Sequence, residues 1–320
     1  ENLFWLGRYT ERTEQLVRLA RATLQLIDAD SDADSRVLQA MSALALRGGL
    51  VPEGVPTIVR APHLFERAVL ARLAEVHNAS VGYNLRALER SALALRERLT
   101  SEQWRLIVMM VETFSSALEV APGALPGEPA VLAALERLAL QLAAVTGAQS
   151  DRMTRDHGWR LLTVGRLLER LIGVTQRFEA FLEAGALNSA AGVDALLDLF
   201  DSAITFRARY QRHEDLLALT DVLVLDSANP RAFGGVLRRL RTELGKLPGA
   251  PQALAPLIAR LPAEGAGIML ESLRGASDAQ IAQQLLRLSR ELHDAAFALA
   301  DEVGLRYFTL ADGVDHLQRF

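Results

Sequence analysis

The 320-residue chain contains no cysteine. Disulfides, thiolate nucleophiles and Cys-based metal sites are therefore excluded together, and a reducing compartment is compatible with the composition. Basic residues are not in excess: 35 Lys and Arg stand against 39 Asp and Glu, a formal net charge of -4. Without an overall basic field no nucleic-acid partner is expected. The longest strongly apolar run, Leu106 to Val111, is far short of the roughly 20 residues of a bilayer span, and no basic segment followed by an apolar one opens the chain. These features predict no membrane association and a cytoplasmic location. Metal and phosphate signatures are missing as well. There is no Glu-x-x-His, His213-Glu214 does not continue as a zinc motif, and Gly245-Lys246 lacks the rest of a phosphate loop. The six histidines are scattered, so neither a metal nor a cofactor is expected.

No segment sustains the alternation of a half-buried strand, whereas apolar residues recur at three- and four-residue spacing throughout. The expectation is an all-α helical bundle, one domain over 1–320 built of two pseudo-repeated halves, about 1–150 and 151–320. Loops are signalled at 48–56, 122–129, 185–192, 247–251 and 262–267. Helix starts are signalled by Asp156 ahead of Trp159, by Ser101, and by Asn229 with Pro230 in the first helical position. The acidic stretch from Asp28 to Asp34 lacks the Gly and Glu of a calcium loop, and reads as a turn into the next helix. Glu1, with a helix under way by Phe4, suggests a piece of a longer or fused chain.

The two-halves plan rests on one repeated pattern, Gly-Arg-x-x-Glu-Arg, found at Gly7-Arg8-Tyr9-Thr10-Glu11-Arg12 and again at Gly165-Arg166-Leu167-Leu168-Glu169-Arg170. At about 100° per residue, Gly, Arg, Glu and the second Arg share one arc of a helix. Glu11 is spaced to meet Arg8 and Arg12 on its own helix, and Glu169 to meet Arg166 and Arg170. Glycine inside a helix is unfavourable by about 0.5–1 kcal/mol relative to Ala, so close approach of another helix or of a ligand is expected at Gly7 and Gly165. If the two helices meet, four arginines and two glutamates converge on a cavity suited to carboxylate or phosphate. A second polar stripe, Asp201, Thr205, Arg207, Arg209 and Tyr210, offers another wall for it. A purely structural network fits the same residues: buried ion pairs can fix helix register without binding anything. Use of Glu11 or Glu169 as a general base is the weakest alternative, because two neighbouring guanidiniums lower a carboxyl pKa.

These residues resemble the alpha-E family, a bacterial helical domain named for its Glu-Arg motif. The resemblance is carried by Glu1 to Arg12, by Asp156-His157-Gly158-Trp159 through Arg170, by Asp201-Ser202 with Thr205 to Tyr210, by Asn229-Pro230-Arg231, and by Tyr307-Phe308. It implies a role beside ATP-grasp ligases of the circularly permuted type and transglutaminase-like proteins, while the ligand expected from the converging arginines is an anionic small molecule or peptide. It also places Trp159 and Arg231 among the candidate binding residues. Departures from the usual pattern occur at Ser91, Leu93, Ala232 and Val236. Two readings stay open: an accessory or substrate-binding module of an amide or peptide ligase system, and a docking scaffold whose Glu-Arg networks only stabilise the bundle.

Overall fold

The computed structural model describes residues 1–28, 34–121, 124–211, 215–249, 254–262 and 273–308. Among them the chain is all-α, with no strand. The first half comprises α1 (Asn2–Asp28), α2 (Ser35–Arg47), α3 (Pro62–Arg72), α4 (Val81–Leu93), α5 (Ser101–Ala117) and α6 (Glu128–Asp151). The second comprises α7 (His157–Glu183), α8 (Ala190–Leu199), α9 (Ala203–Tyr210), α10 (Leu216–Thr220), α11 (Phe233–Leu244), α12 (Ala255–Ile258) and α13 (Asp278–Tyr307). The repeat predicts that the two motif helices adjoin, and they do: α1 lies along α7 in the most extensive helix pairing among the described residues.

Most of the 27 residues of α7 are buried, on every side of the helix. A helix covered all round is a central one, and α1, α2, α8, α11 and α13 surround it. The charged arc of the motif therefore faces protein rather than water. Phe178 of α7 meets Phe200 and Phe233 edge-on, with ring centroids 5.6 and 5.3 Å apart, and this cluster ties the second-half helices to α7.

The start signals resolve differently at each site. Asp156 caps α7, accepting a hydrogen bond from the Trp159 backbone N–H. At α5 the cap is Thr100, one residue before Ser101, because Thr100 and Gln103 bond reciprocally to each other's backbone. Asn229-Pro230 does not start α11. The Asn229 side chain is engaged elsewhere, donating to Ser202 Oγ and Val222 O, and the helix begins at Phe233. Of the acidic stretch, 29–33 lie outside the described residues, and Asp34 caps α2. Among the described residues one helix, α6, is long and apolar enough by composition to cross a membrane. Here Leu135, Leu138, Leu142 and Val145 are buried, and the helix packs on α5 and α1.

Candidate functional site

The site starts from two glycines. A Cβ on Gly7 would overlap the carbonyl oxygen of Leu162, and one on Gly165 would overlap the carbonyl oxygen of Phe4. Phe4 and Leu162 occupy equivalent places in the two motifs, so the contacts are each other's exchange. Only glycine lets the backbones of α1 and α7 touch in this way. The touch brings both Glu-Arg pairs to the same level of the crossing.

The pairing is crosswise, not within each helix as the spacing alone suggests. Arg12 donates from Nε and Nη2 to the two oxygens of Glu169, at 2.6 and 2.8 Å. Arg170 donates in the same two-pronged manner to Glu11, at 2.8 and 2.6 Å. Each carboxylate thus holds the second arginine of the opposite motif, which is the stronger geometry for an arginine–carboxylate pair. The first arginines then differ. Arg8 also donates to Glu169, at 2.8 Å, whereas Arg166 turns to α6, donating to Gln149 Oε1 and to Thr146 Oγ1. Gln149 is a junction: its Nε2 donates to Thr10 Oγ1 and its backbone oxygen accepts the Trp159 indole N–H.

The two carboxylates consequently sit in different surroundings. Glu11 is 1% exposed. Burial by itself would raise its pKa, but Arg170, with Arg231 and Arg166 behind it, brings the carboxyl down to about 2. A carboxyl that acidic is a poor base near neutrality. Burial opposes the charge of Arg12 and Arg170 too, and the facing glutamates more than offset it, so both pKa values are raised. Arg166 is left with a lowered pKa of about 10, set by burial and only partly relieved by Glu11, and its Nε is buried without a hydrogen bond.

Glu169 instead borders a cleft of about 270 Å³ between α1, α7, α4 and the end of α2, lined by Arg8, Arg12, Arg47, Arg177, Gln15, Tyr83 and Gln176 together with Leu16 and Ile172. Neither Glu11, Arg166 nor Arg170 lines it, so the six charged groups do not share one cavity. Two arginines divide one carboxylate here. Among the described residues the terminal nitrogens of Arg8 make no hydrogen bond, and its guanidinium lies 5.4 Å from the Trp5 ring centre. The Arg12 side chain is 34% exposed.

The second stripe is not a wall of this cleft. Arg209 and Tyr210 bind Asp221, and Arg209 also binds Asp226, which fastens α9 to the segment before α11. Thr205 and Arg207 are exposed, Arg207 with Asp194 at 3.7 Å. Asp201 adopts a left-handed backbone and accepts from Arg18. An eight-residue helix beginning after that turn presents its polar side outward. Arg231 donates to Glu14 at 2.6 Å, next to the Glu11 cluster. Of the departing positions, Leu93 is exposed, whereas Ala232 and Val236 are fully buried.

Sequence reasoning missed Gln149 and Arg177. Gln149 interrupts the buried row Leu138, Leu142, Val145 on α6, a polar residue at a core position and hence a visible signal. Arg177 lies two helical turns after Arg170, is 7% exposed, and has no hydrogen bond or ion pair among the described residues. Burial, then the neighbouring Arg18, pushes its pKa down to about 9. Among the described residues no three His, Cys, Asp or Glu are grouped to hold a metal ion.

Comparison with known proteins agrees with the architecture. Uncharacterized proteins of Mycobacterium bovis and of two strains of Mycobacterium tuberculosis are each 27% identical over 273 residues, covering 80% of this chain and 30% of their own length. The chain therefore spans about 30% of the length of these curated relatives. No solved structure matches it. A family profile described as a predicted alpha-helical domain with a conserved ER motif matches residues 1–308, and the crossing helices carry such a pair at Glu11-Arg12 and at Glu169-Arg170. The chain belongs to the Alpha-E family.

Proposed function

We propose that this chain is an accessory or substrate-binding helical module of an ATP-grasp-type amide or peptide ligase system in the bacterial cytoplasm. It holds an anionic group of a small molecule or peptide in the cleft beside Glu169. The observation that carries this reading is the unequal count of charges: Arg8 and Arg12 share the single carboxylate of Glu169, and both line an open cleft. A guanidinium with free donors and a partly apolar floor suits a carboxylate attached to carbon. The ligase association, and a transglutaminase-like partner, rest on the family resemblance. A docking scaffold remains the second reading, favoured by the buried Glu11–Arg170 pair, which fixes register and does not border the Glu169 cleft.

Calorimetric titration with carboxylates and short acidic peptides, at two salt concentrations, tests the ligand half of the proposal. Arg8→Lys and Arg12→Lys are expected to stay folded and lose binding, since Lys keeps the charge but lacks the planar fork. Absence of heat with folded wild type moves the assignment to the scaffold. The coding regions beside this one test the other half, through the presence or absence of a ligase.

A further inference from the structure

On the far side of the α1–α7 crossing from the Glu169 cleft lies a second cavity, of about 440 Å³, between α7, the 227–230 turn and α11. Its polar lining includes Arg170, Arg238, Arg239, Ser227 and Thr242, and no carboxylate. The nearby acids are engaged elsewhere. Glu11 holds Arg170, Glu243 holds Arg160 at 2.7 Å, and Asp226 holds Arg209 at 2.9 Å. Once Glu11 is counted against Arg170, two positive charges are left, on Arg238 and Arg239. Neither guanidinium donates a hydrogen bond or forms an ion pair among the described residues, the one side-chain bond here being from Thr242 Oγ1 to the Arg238 carbonyl. Partial burial, then the Arg170 guanidinium, lowers the pKa of Arg239, with Glu243 opposing the shift.

The turn that roofs the cavity is fixed rather than loose. Asp226 accepts from the backbone of Ala228 and Asn229, and Gly235 lies so close under Asn229 that any Cβ would strike the Asn229 carbonyl. That closeness sets the turn over the start of α11, and leaves the space beside Arg170 open.

We propose that this cavity is a second anion site, selective for a phosphate monoester or free phosphate over a carboxylate. Two uncompensated guanidiniums match a group carrying about -1.5 to -2 charges at neutral pH, whereas a carboxylate brings one. The volume falls within the range of about 300–1,000 Å³ usual for small-molecule sites, so a phosphorylated metabolite fits as well as the bare ion. The site is independent of the cleft at Arg8 and Arg12.

Titrating the whole chain at low salt with inorganic phosphate, AMP, adenosine and acetate tests it. Phosphate or AMP is expected to bind, with adenosine and acetate at least tenfold weaker. Binding of AMP alone identifies an ester as the ligand, and equal binding of both identifies the phosphoryl group as sufficient. Affinity should increase from pH 5 to pH 7.5, through the second phosphate pKa of about 6. Arg238→Gln and Arg239→Gln, made on exposed positions, should each weaken binding at least tenfold. Arg12→Gln, in the other cleft, should leave it within twofold. The proposal is overturned if phosphate and AMP both fail to bind, if neither α11 variant weakens them, or if Arg12→Gln abolishes binding instead. The last result would assign the anion to the Glu169 cleft and leave that reading standing.

Discussion

Gly7 and Leu162 touch backbone to backbone, the α carbon of one against the carbonyl of the other, with no space for a Cβ. The opposing atom belongs to a helix backbone and cannot rotate aside as a side chain would. Replacing Gly7 by Ala gains about 0.5–1 kcal/mol of helix propensity, yet must part α1 from α7 and lengthen five arginine–glutamate bonds. A net loss of about 1–3 kcal/mol is expected, the usual range for overpacking. Gly165→Ala should behave alike, since its contact with Phe4 is equivalent. Urea denaturation measures both, and a stabilised Gly7→Ala would show that the helices need not approach so closely.

Glu11→Ala should be far more damaging than Glu97→Ala. Glu11 is sealed in and holds Arg170 by two bonds, so its removal strands a buried guanidinium. Breaking one side of a buried pair costs about 3–5 kcal/mol, whereas an exposed pair contributes at most about 1. Glu97 is exposed on the turn after α4. Thermal melts of the two variants beside wild type decide the matter, and equal midpoints would contradict the buried network.

The same carboxyl sets a pH dependence with a definite sign. Its folded pKa, about 2, lies below the ordinary 4.5, so the unfolded chain binds the proton first as pH falls. The stabilisation is complete above pH 4.5, declines below it, and is lost as pH falls through about 2. Subtracting the stability of Glu11→Gln from that of wild type isolates this group. The difference should be flat from pH 7 to about 5 and shrink below that. A difference that stays constant down to pH 3 would mean that Glu11 is not held in its charged form by Arg170.

The helical class and the meeting of the two motif helices were legible because Gly-Arg-x-x-Glu-Arg occurs twice with equal spacing, and a helical glycine demands a close neighbour. Who pairs with whom was not. Glu11 is three residues from Arg8 and one from Arg12 on its own helix, and only the depth of the crossing makes Arg170 the nearer partner. The stripe at Asp201 to Tyr210 misled for a related reason. Thr205 and Arg209 do share a helix face, but Asp201 sits in the left-handed turn before that helix, and spacing says which residues share a face and not what the face looks at. Arg177 went unnoticed because nothing pairs with it nearby in sequence.

Arg177 supplies a prediction opposite in sign to that for Glu11. It is buried near Arg18, Arg231, Glu11 and Glu14, and Glu11 and Glu14 already bind Arg170 and Arg231. Its folded pKa of about 9 lies below the ordinary 12.5, which for a base means that the charged form is less stable in the folded chain than in the unfolded one. The penalty is present in full below pH 9 and is relieved only as pH rises above that. Arg177→Met keeps the length of the apolar stem and removes the charge. Replacing poorly compensated buried charge by an apolar side chain is neutral or stabilising, by up to a few kcal/mol. The melting midpoint of Arg177→Met at pH 7 is therefore expected to equal or exceed that of wild type. A loss of more than about 1 kcal/mol would place Arg177 among the groups that hold the crossing together, and would require a partner for it that the described residues do not include.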